Sequence, residues 1–355
     1  MRTTSFWAAC MAAAIGAGSA ASAQVPAGRD LTGIWSNASL TPLTRAKGVD
    51  NLEVSPEEAA RIVKATGVAG IPAEEKFRDQ NYSDPEAGAP PKGGSDFGIK
   101  GYDGGWVAPG EKLATVNGRY RTSNIVSPAN GQLPYRDMAA AAQRAQLRGY
   151  KYATGDDPYE GPESAAISER CLIGFGGTGG PGMLSVLYNN NYQFVLTKDH
   201  LAIVVEMVHD QRIIPIFPSA QKARASHGPA AIKRWLGDSV GWWEGDTLVV
   251  ESVNVHPLEA ENGPFALSPQ AKVTERFRRN GPKEIAYAFT VDDPATYTQP
   301  WTAELSFYPQ SSLFEYACHE GNYGMLGILQ GARKREQAAL GEASPKAPAK
   351  PSTGG

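Results

Sequence analysis

The chain predicts a mainly β fold, an antiparallel meander closing into a lipocalin-like (calycin-type) barrel with a long irregular N-terminal wrap and a few helices. Three observations carry that expectation. After Ser185, short β-rich runs follow one another with turn signals between them. Asn280-Gly281, between Lys272–Arg279 and Glu284–Val291, is the dipeptide best suited to a two-residue hairpin, because both of its residues accept positive φ. Near the start, Gly33-Ile34-Trp35 matches the Gly-x-Trp entry of lipocalin-like barrels, whose tryptophan closes the barrel floor. A sequential meander protects its edges best by closing on itself. A two-sheet sandwich is the second choice.

Taken in order, the chain opens with Arg2, an apolar stretch from Phe6 to Gly18, and the small-x-small site Ala21-Ser22-Ala23. That is the layout of a secretory signal peptide over residues 1–23, with the protein exported and, in a host with two membranes, periplasmic. No later stretch reaches the roughly 20 apolar residues of a membrane-spanning helix. Residues 24–340 are expected to form one elaborated domain. Ser55-Pro56-Glu57-Glu58 reads as an N-cap, a first-turn proline and acidic first-turn residues, starting a helix that runs to about Thr66.

Pro and Gly break periodicity from Gly67 to Asn130, yet Phe97, Tyr102, Trp106 and Tyr120 argue for an ordered wrap over the main domain. A second helix is expected over Arg136–Arg148. The letters G-x-G-x-x-G occur at Gly174, Gly176 and Gly179, but Pro181-Gly182 and a strand-like run follow where a dinucleotide site needs a helix. Residues 174–182 therefore read as a flexible loop. The meander occupies 185–320, and its last strand is expected over Leu313–Cys318. A terminal helix from Gly324 to about Leu340 and a disordered tail over 341–355 complete the chain.

Charge excludes one class of partner. The net charge is −3, from 37 Asp and Glu against 34 Lys and Arg, and the basic residues are dispersed, without the basic stripe of a nucleic-acid binder. A small aromatic or hydrophobic molecule is the expected partner; the oligomeric state stays open. After signal removal two cysteines remain, Cys171 and Cys318, for which a disulfide and two buried free thiols are both consistent.

The polar stretch Tyr316-Ala317-Cys318-His319-Glu320-Gly321-Asn322-Tyr323 is the densest candidate site. If Phe314 and Tyr316 face the barrel interior, Glu320, Asn322 and Tyr323 lie at the mouth. In the opposite register Glu315 and His319 go inside. A polar network pinning the terminal helix is the structural alternative. Glu206, on a largely apolar strand, needs a partner, and Arg212 on the next strand is the near one. In the turn between them, His209 beside Asp210 has the chemistry of a general base. In an enzyme, His209 or His319 would be the base and Arg212, Tyr316 and Tyr323 donors to a developing oxyanion. Trp106 and Trp242 would stack on the substrate. Metal-ligand spacings and a G-x-S-x-G elbow are both absent, so no metal or cofactor is expected. A metal-assisted hydrolase with ligands from distant strands is the third alternative, after a non-catalytic binding protein.

Six blocks carry a family resemblance: Asn189-Asn190, Glu206–Pro215, Arg234–Ser239, Trp243–Glu251, Phe289–Pro294 and Tyr316–Tyr323. As a set they resemble a large family of secreted bacterial proteins. Some sphingomonad proteins of this kind are linked with lignin-derived aromatic dimers. The resemblance implies a cofactor-free carbon–carbon lyase that releases formaldehyde from a hydroxymethyl side chain and leaves a stilbene. The Gly-rich 174–182 segment departs from the shorter, Pro-containing one that the resemblance implies there.

Overall fold

The computed structural model describes residues 26, 28–66, 108–143 and 161–343. The expected signal peptide, the first part of the wrap with Trp106, the C-terminal part of the helix expected over 136–148 and residues 344–355 lie outside them. The described chain runs β1 (Gly33–Ser36), β2 (Glu53–Val54), α1 (Pro56–Thr66), β3 (Thr115–Val116), β4 (Arg119–Arg121) and β5 (Ile125–Ser127). There follow β6 (Asn191–Leu196), β7 (His200–Val205), β8 (Gln211–Phe217), α2 (Ala220–Arg224), β9 (Asp238–Glu244), β10 (Thr247–Val253) and α3 (Pro257–Asn262). The last elements are β11 (Lys272–Arg279), β12 (Ile285–Asp292), β13 (Trp301–Pro309) and α4 (Tyr323–Ala343).

The nine strands β1 and β6 to β13 form a closed barrel of lipocalin-like type. Closure comes from β1 pairing with β13, Trp35 opposite Pro309 and Ser36 opposite Tyr308. Every strand contributes by alternation: Tyr192 and Phe194, Leu201, Ile203 and Val205, and Tyr287, Phe289 and Val291 all point inward and are fully buried. The interior is filled by edge-on aromatic pairs such as Tyr192–Phe307 (centroids 5.1 Å apart) and Phe194–Phe307 (5.3 Å). Each such ring contributes about 1.5–3 kcal/mol of burial. Trp35 is buried in the same core: its indole N–H donates to the Leu31 carbonyl at 3.0 Å, and the Arg279 guanidinium lies 4.6 Å over its ring.

All barrel pairings are antiparallel except one. β8 and β9 run parallel and pair only at Ile216–Gly241 and Phe217–Trp242. A parallel pair cannot be joined by a hairpin, so residues 218–237 cross over the outside of the barrel. The crossover carries α2, whose Ala223 packs on Val240, Trp242 and Val249 of the outer wall.

Within the described part of the wrap, 108–130, β3 and β4 join β2 in a small sheet and β5 pairs with β13, with irregular chain between them. The wrap is docked by Arg121, which pairs with Glu53 and with Glu304 on β13 (3.0 Å). Residues 313–318 form no strand, because β1, not a tenth strand, takes the free edge of β13. The terminal helix runs on to Ala343, into the segment expected to be tail.

The glycine-rich segment is not a flexible loop. Residues 177–184 are buried, and the segment plugs the barrel: the Gly182 N–H donates to Glu275 Oε1 at 3.3 Å and the Met183 N–H to the Tyr287 hydroxyl at 2.9 Å. Two glycines are needed for contact as well as for backbone. Gly180 has φ +80°, and a Cβ there would lie 2.8 Å from Arg212 Nη1; Gly182 has φ +82°, and a Cβ would lie 3.0 Å from the Phe289 ring.

Candidate functional site

Where β8 and β9 splay apart beyond their two-residue pairing, a cleft of about 550 Å³ opens on the outer wall. Gln211, Ile213 and Pro215 of β8 form one side and Ser226, Gly228 and Trp235 of the crossover the other. Leu172 and Ile173 close a third side, and Arg212 and Ser239 reach its floor. The size is that of a small-molecule site, and its lining is mixed, with Asp210, Gln211, Arg234 and Asp238 set among Ile213, Trp235 and Leu236.

Asp210 is a carboxyl of the cleft whose acid–base chemistry is shifted toward neutrality. It follows a 3-10 turn, Met207–His209, in which Val208 and His209 both take φ 56°. Positive φ is costly for a β-branched valine, and such strain concentrates at functional sites. The turn aims the Asp210 carboxyl at the plug, where Oδ2 accepts the Gly174 N–H at 2.8 Å. Burial pushes this carboxyl up to about 6, and the Gly174 N–H pulls it down only in part. A carboxyl poised near neutrality can both take and return a proton.

Arg212 belongs to a different environment two residues on. Its guanidinium lies inside the barrel, 2% exposed against 0% for Glu275. Nη1 donates to Glu275 Oε1 at 3.0 Å and Nη2 to the other carboxylate oxygen, to Ser239 Oγ (3.2 Å) and to Ser252 Oγ (3.3 Å). Tyr287 adds a hydrogen bond to Glu275 Oε1 at 2.6 Å. Burial is the largest influence on Arg212 and would lower its pKa, but the Glu275 charge, the hydrogen bonds to it and Tyr287 together raise it, so the guanidinium is held charged; burial raises Tyr287 well above its ordinary value.

The expected partner of Arg212 was Glu206, and that pairing is corrected. Glu206 is buried at the end of β7 and accepts instead from Asn189 Nδ2 (2.6 Å), Asn191 Nδ2 (2.6 Å) and the Phe314 N–H (3.3 Å). Alternation explains the change: Arg212 faces the interior beside Ile203, whereas Glu206 lies beyond the last inward position, Val205.

The remaining expected residues do not meet at one opening. His209, His319 and Glu320 are exposed, and Tyr323 is 80% exposed at the start of α4. Only Tyr316 leans on the barrel core. Asn322 donates to the Glu169 carbonyl at 2.7 Å and approaches Cys171 Sγ at 3.5 Å. Cys171 and Cys318 form a disulfide. The Tyr316–Tyr323 block therefore pins the start of α4 to the 165–173 segment, with Ala332 packed on Ala165. Trp242 is on the outer wall, under the Arg224 guanidinium at 5.0 Å and against α2, away from any expected ring stack. Trp106 lies outside the described residues.

Sequence reasoning passed over Asp210 as a site residue in its own right, and Trp235 and Asp238 altogether. The available signals were the His209-Asp210 turn and the Arg234–Ser239 block. Among the described residues no group of three or more His, Cys, Asp or Glu is arranged to hold a metal, and no helix is long and apolar enough to cross a membrane. Compared with family models, with curated proteins and with solved structures, the chain gives no significant match in any of the three.

Proposed function

We propose that the protein takes a small molecule bearing both apolar and polar groups into the β8–β9 cleft and exchanges a proton with it through Asp210. One observation carries the reading: a carboxyl with a pKa of about 6 lines a cleft of about 550 Å³ and has one N–H donor from the plug, on Oδ2. The family resemblance supplies a specific form of the chemistry, cofactor-free cleavage of a diaryl propane-diol. The Asp210 carboxylate takes the hydroxymethyl O–H proton, the C–C bond breaks and formaldehyde leaves. The freed electron pair forms the stilbene double bond as the neighbouring hydroxyl departs, and the carboxyl returns its proton to make water. An exported, periplasmic setting fits the Cys171–Cys318 bridge, which needs an oxidising compartment.

The test is to incubate purified protein with a phenolic diaryl propane-diol and assay formaldehyde. Release by the wild type, abolished by Asp210→Asn and retained by His209→Ala and His319→Ala, is the expected result. Formaldehyde unaffected by Asp210→Asn would remove Asp210 from the reaction.

A second reading, a binding protein without turnover, is favoured by the Arg212–Glu275 pair: the guanidinium charge is already matched by Glu275 and is not held in reserve for an oxyanion. That reading predicts ligand-induced thermal stabilisation with no conversion by mass spectrometry.

A further inference from the structure

The parallel seam between β8 and β9 stops short, and a proline stands where it stops. The two strands pair only at Ile216–Gly241 and Phe217–Trp242, and the preceding residue of β8, Pro215, has no N–H to offer a neighbour. Two hydrogen bonds show which way the rest of β8 faces. The Ile216 N–H donates to the Asp199 carbonyl at 2.7 Å, and the Asp210 carbonyl accepts the Val205 N–H at 2.8 Å. Even-numbered positions therefore turn their backbone groups toward β7. Because these groups alternate along a strand, those of Gln211 and Ile213 point to the opposite edge, into the cleft. No strand among the described residues pairs with them there.

Open edges are ordinarily blunted by Lys, by Pro, by a bulge or by a cover. Here Pro215 ends the run, but Gln211 and Ile213 line the cleft and the Ile213 side chain is 61% exposed. The charges of the cleft are largely matched among themselves. Arg212 meets Glu275 and Arg234 meets Asp238 at 3.1 Å, which leaves Asp210 as the lining carboxyl without an ion pair among the described residues. That balance suits a neutral ligand better than an anion.

We propose that the cleft edge of β8 is a strand-addition site, at which an uncharged, extended peptide segment continues the seam by pairing its backbone with Gln211 and Ile213. Each of the two residues offers one N–H and one C=O, within about 7 Å of strand. Main-chain bonds supply the affinity, and Ile213 gives the peptide residue beside it an apolar neighbour. On the crossover side, Trp235 and Leu236 line the space for the alternate side chain. This goes beyond the small-molecule reading. Peptide and small molecule share the cleft, so each excludes the other, and the edge geometry stands whether or not Asp210 moves a proton.

The experiment is nitrogen-15 NMR with backbone hydrogen exchange on the full chain, titrated with the blocked peptide acetyl-Thr-Val-Thr-Val-amide and with a copy methylated on every backbone nitrogen. Saturating peptide is expected to slow exchange at Gln211 and Ile213 by roughly tenfold or more, and the methylated copy to leave both unchanged. Ile213→Pro removes an edge donor without touching the ladder to β7, and should weaken peptide binding about tenfold. Ile213→Thr keeps the backbone and should bind within a few-fold of the wild type. Unchanged exchange at Gln211 and Ile213 at millimolar peptide overturns the proposal. Equal binding of the methylated copy does so too, which decides the matter even if Ile213→Pro fails to fold. Failure of the small-molecule reading would look different: the diaryl propane-diol neither stabilises the protein nor displaces the peptide, while the peptide still protects Ile213.

Discussion

Arg212 and Asp210 are two residues apart, one on β8 and the other just before it, yet they sit in opposite kinds of environment. Arg212 points into the barrel, where Glu275, Ser239 and Ser252 meet its guanidinium and Tyr287 completes the acceptor side. Asp210 points into the cleft, follows two residues in the left-handed region, and accepts the Gly174 N–H. A buried, charge-matched network of this kind helps specify a core, although Arg212 Nε has no hydrogen-bond partner in it. A carboxyl kept at the expense of stability in a cleft marks chemistry or binding. The difference teaches where in this molecule polar groups serve the fold and where they are available to a ligand.

The sharpest way to break that contrast is to unpair the interior. Arg212→Met leaves the Glu275 charge buried and should cost about 3–5 kcal/mol in denaturant unfolding, whereas Arg212→Met with Glu275→Leu should recover most of the loss. A double variant as unstable as the single one would mean that the network does more than neutralise itself.

Next in size is the bridge that ties the terminal helix to the cleft wall. Cys318→Ser opens a link between positions 147 residues apart and should lower stability by about 2–4 kcal/mol, read from the melting temperature. An unchanged melting temperature would show that the 171–173 turn and α4 hold without it.

The cleft side is tested by pH. The Asp210 pKa is raised from 3.8 to about 6 in the folded protein, so the folded state holds this proton more tightly than the unfolded chain. Its contribution to stability is fully present below the unfolded value and is lost as pH rises through about 6. Asp210→Asn should therefore flatten the pH profile across that window and gain at most about 3 kcal/mol over the wild type at pH 8. Parallel profiles for the two proteins would place Asp210 among ordinary solvated carboxylates.

The smallest effects belong to the exposed block around α4. His319→Ala and Tyr323→Ala should each shift stability by no more than about 0.5 kcal/mol and leave ligand binding in the cleft intact. A large loss of ligand affinity in either would move the site from the cleft to that block.

The legible parts of this protein are those written in local alternation. The runs at 191–196, 272–279 and 301–309 follow their expected strands to within a residue, while the strand expected over Leu201–Val208 stops at Val205, just before the 3-10 turn begins. Ser55 caps α1, its Oγ accepting the Glu58 N–H at 3.2 Å. The polar run 313–322 misled for a physical reason: residue types with chemical potential are also the types that tether a helix, and a disulfide with Asn322 does that here. The glycine-rich segment misled in the same way, since close packing against Arg212 and Phe289 demands glycine as strictly as flexibility would.

By itself the sequence determined the strands, their inward faces and the barrel class, because a period of two and a hairpin turn are properties of a few neighbouring residues. Only the tertiary structure decided that Arg212 meets Glu275 and not Glu206, that β8 and β9 splay into a cleft, and that Asp210 sits there. Those outcomes depend on which strands become neighbours on closure and on one parallel seam, and nothing local in the chain encodes the partner across it.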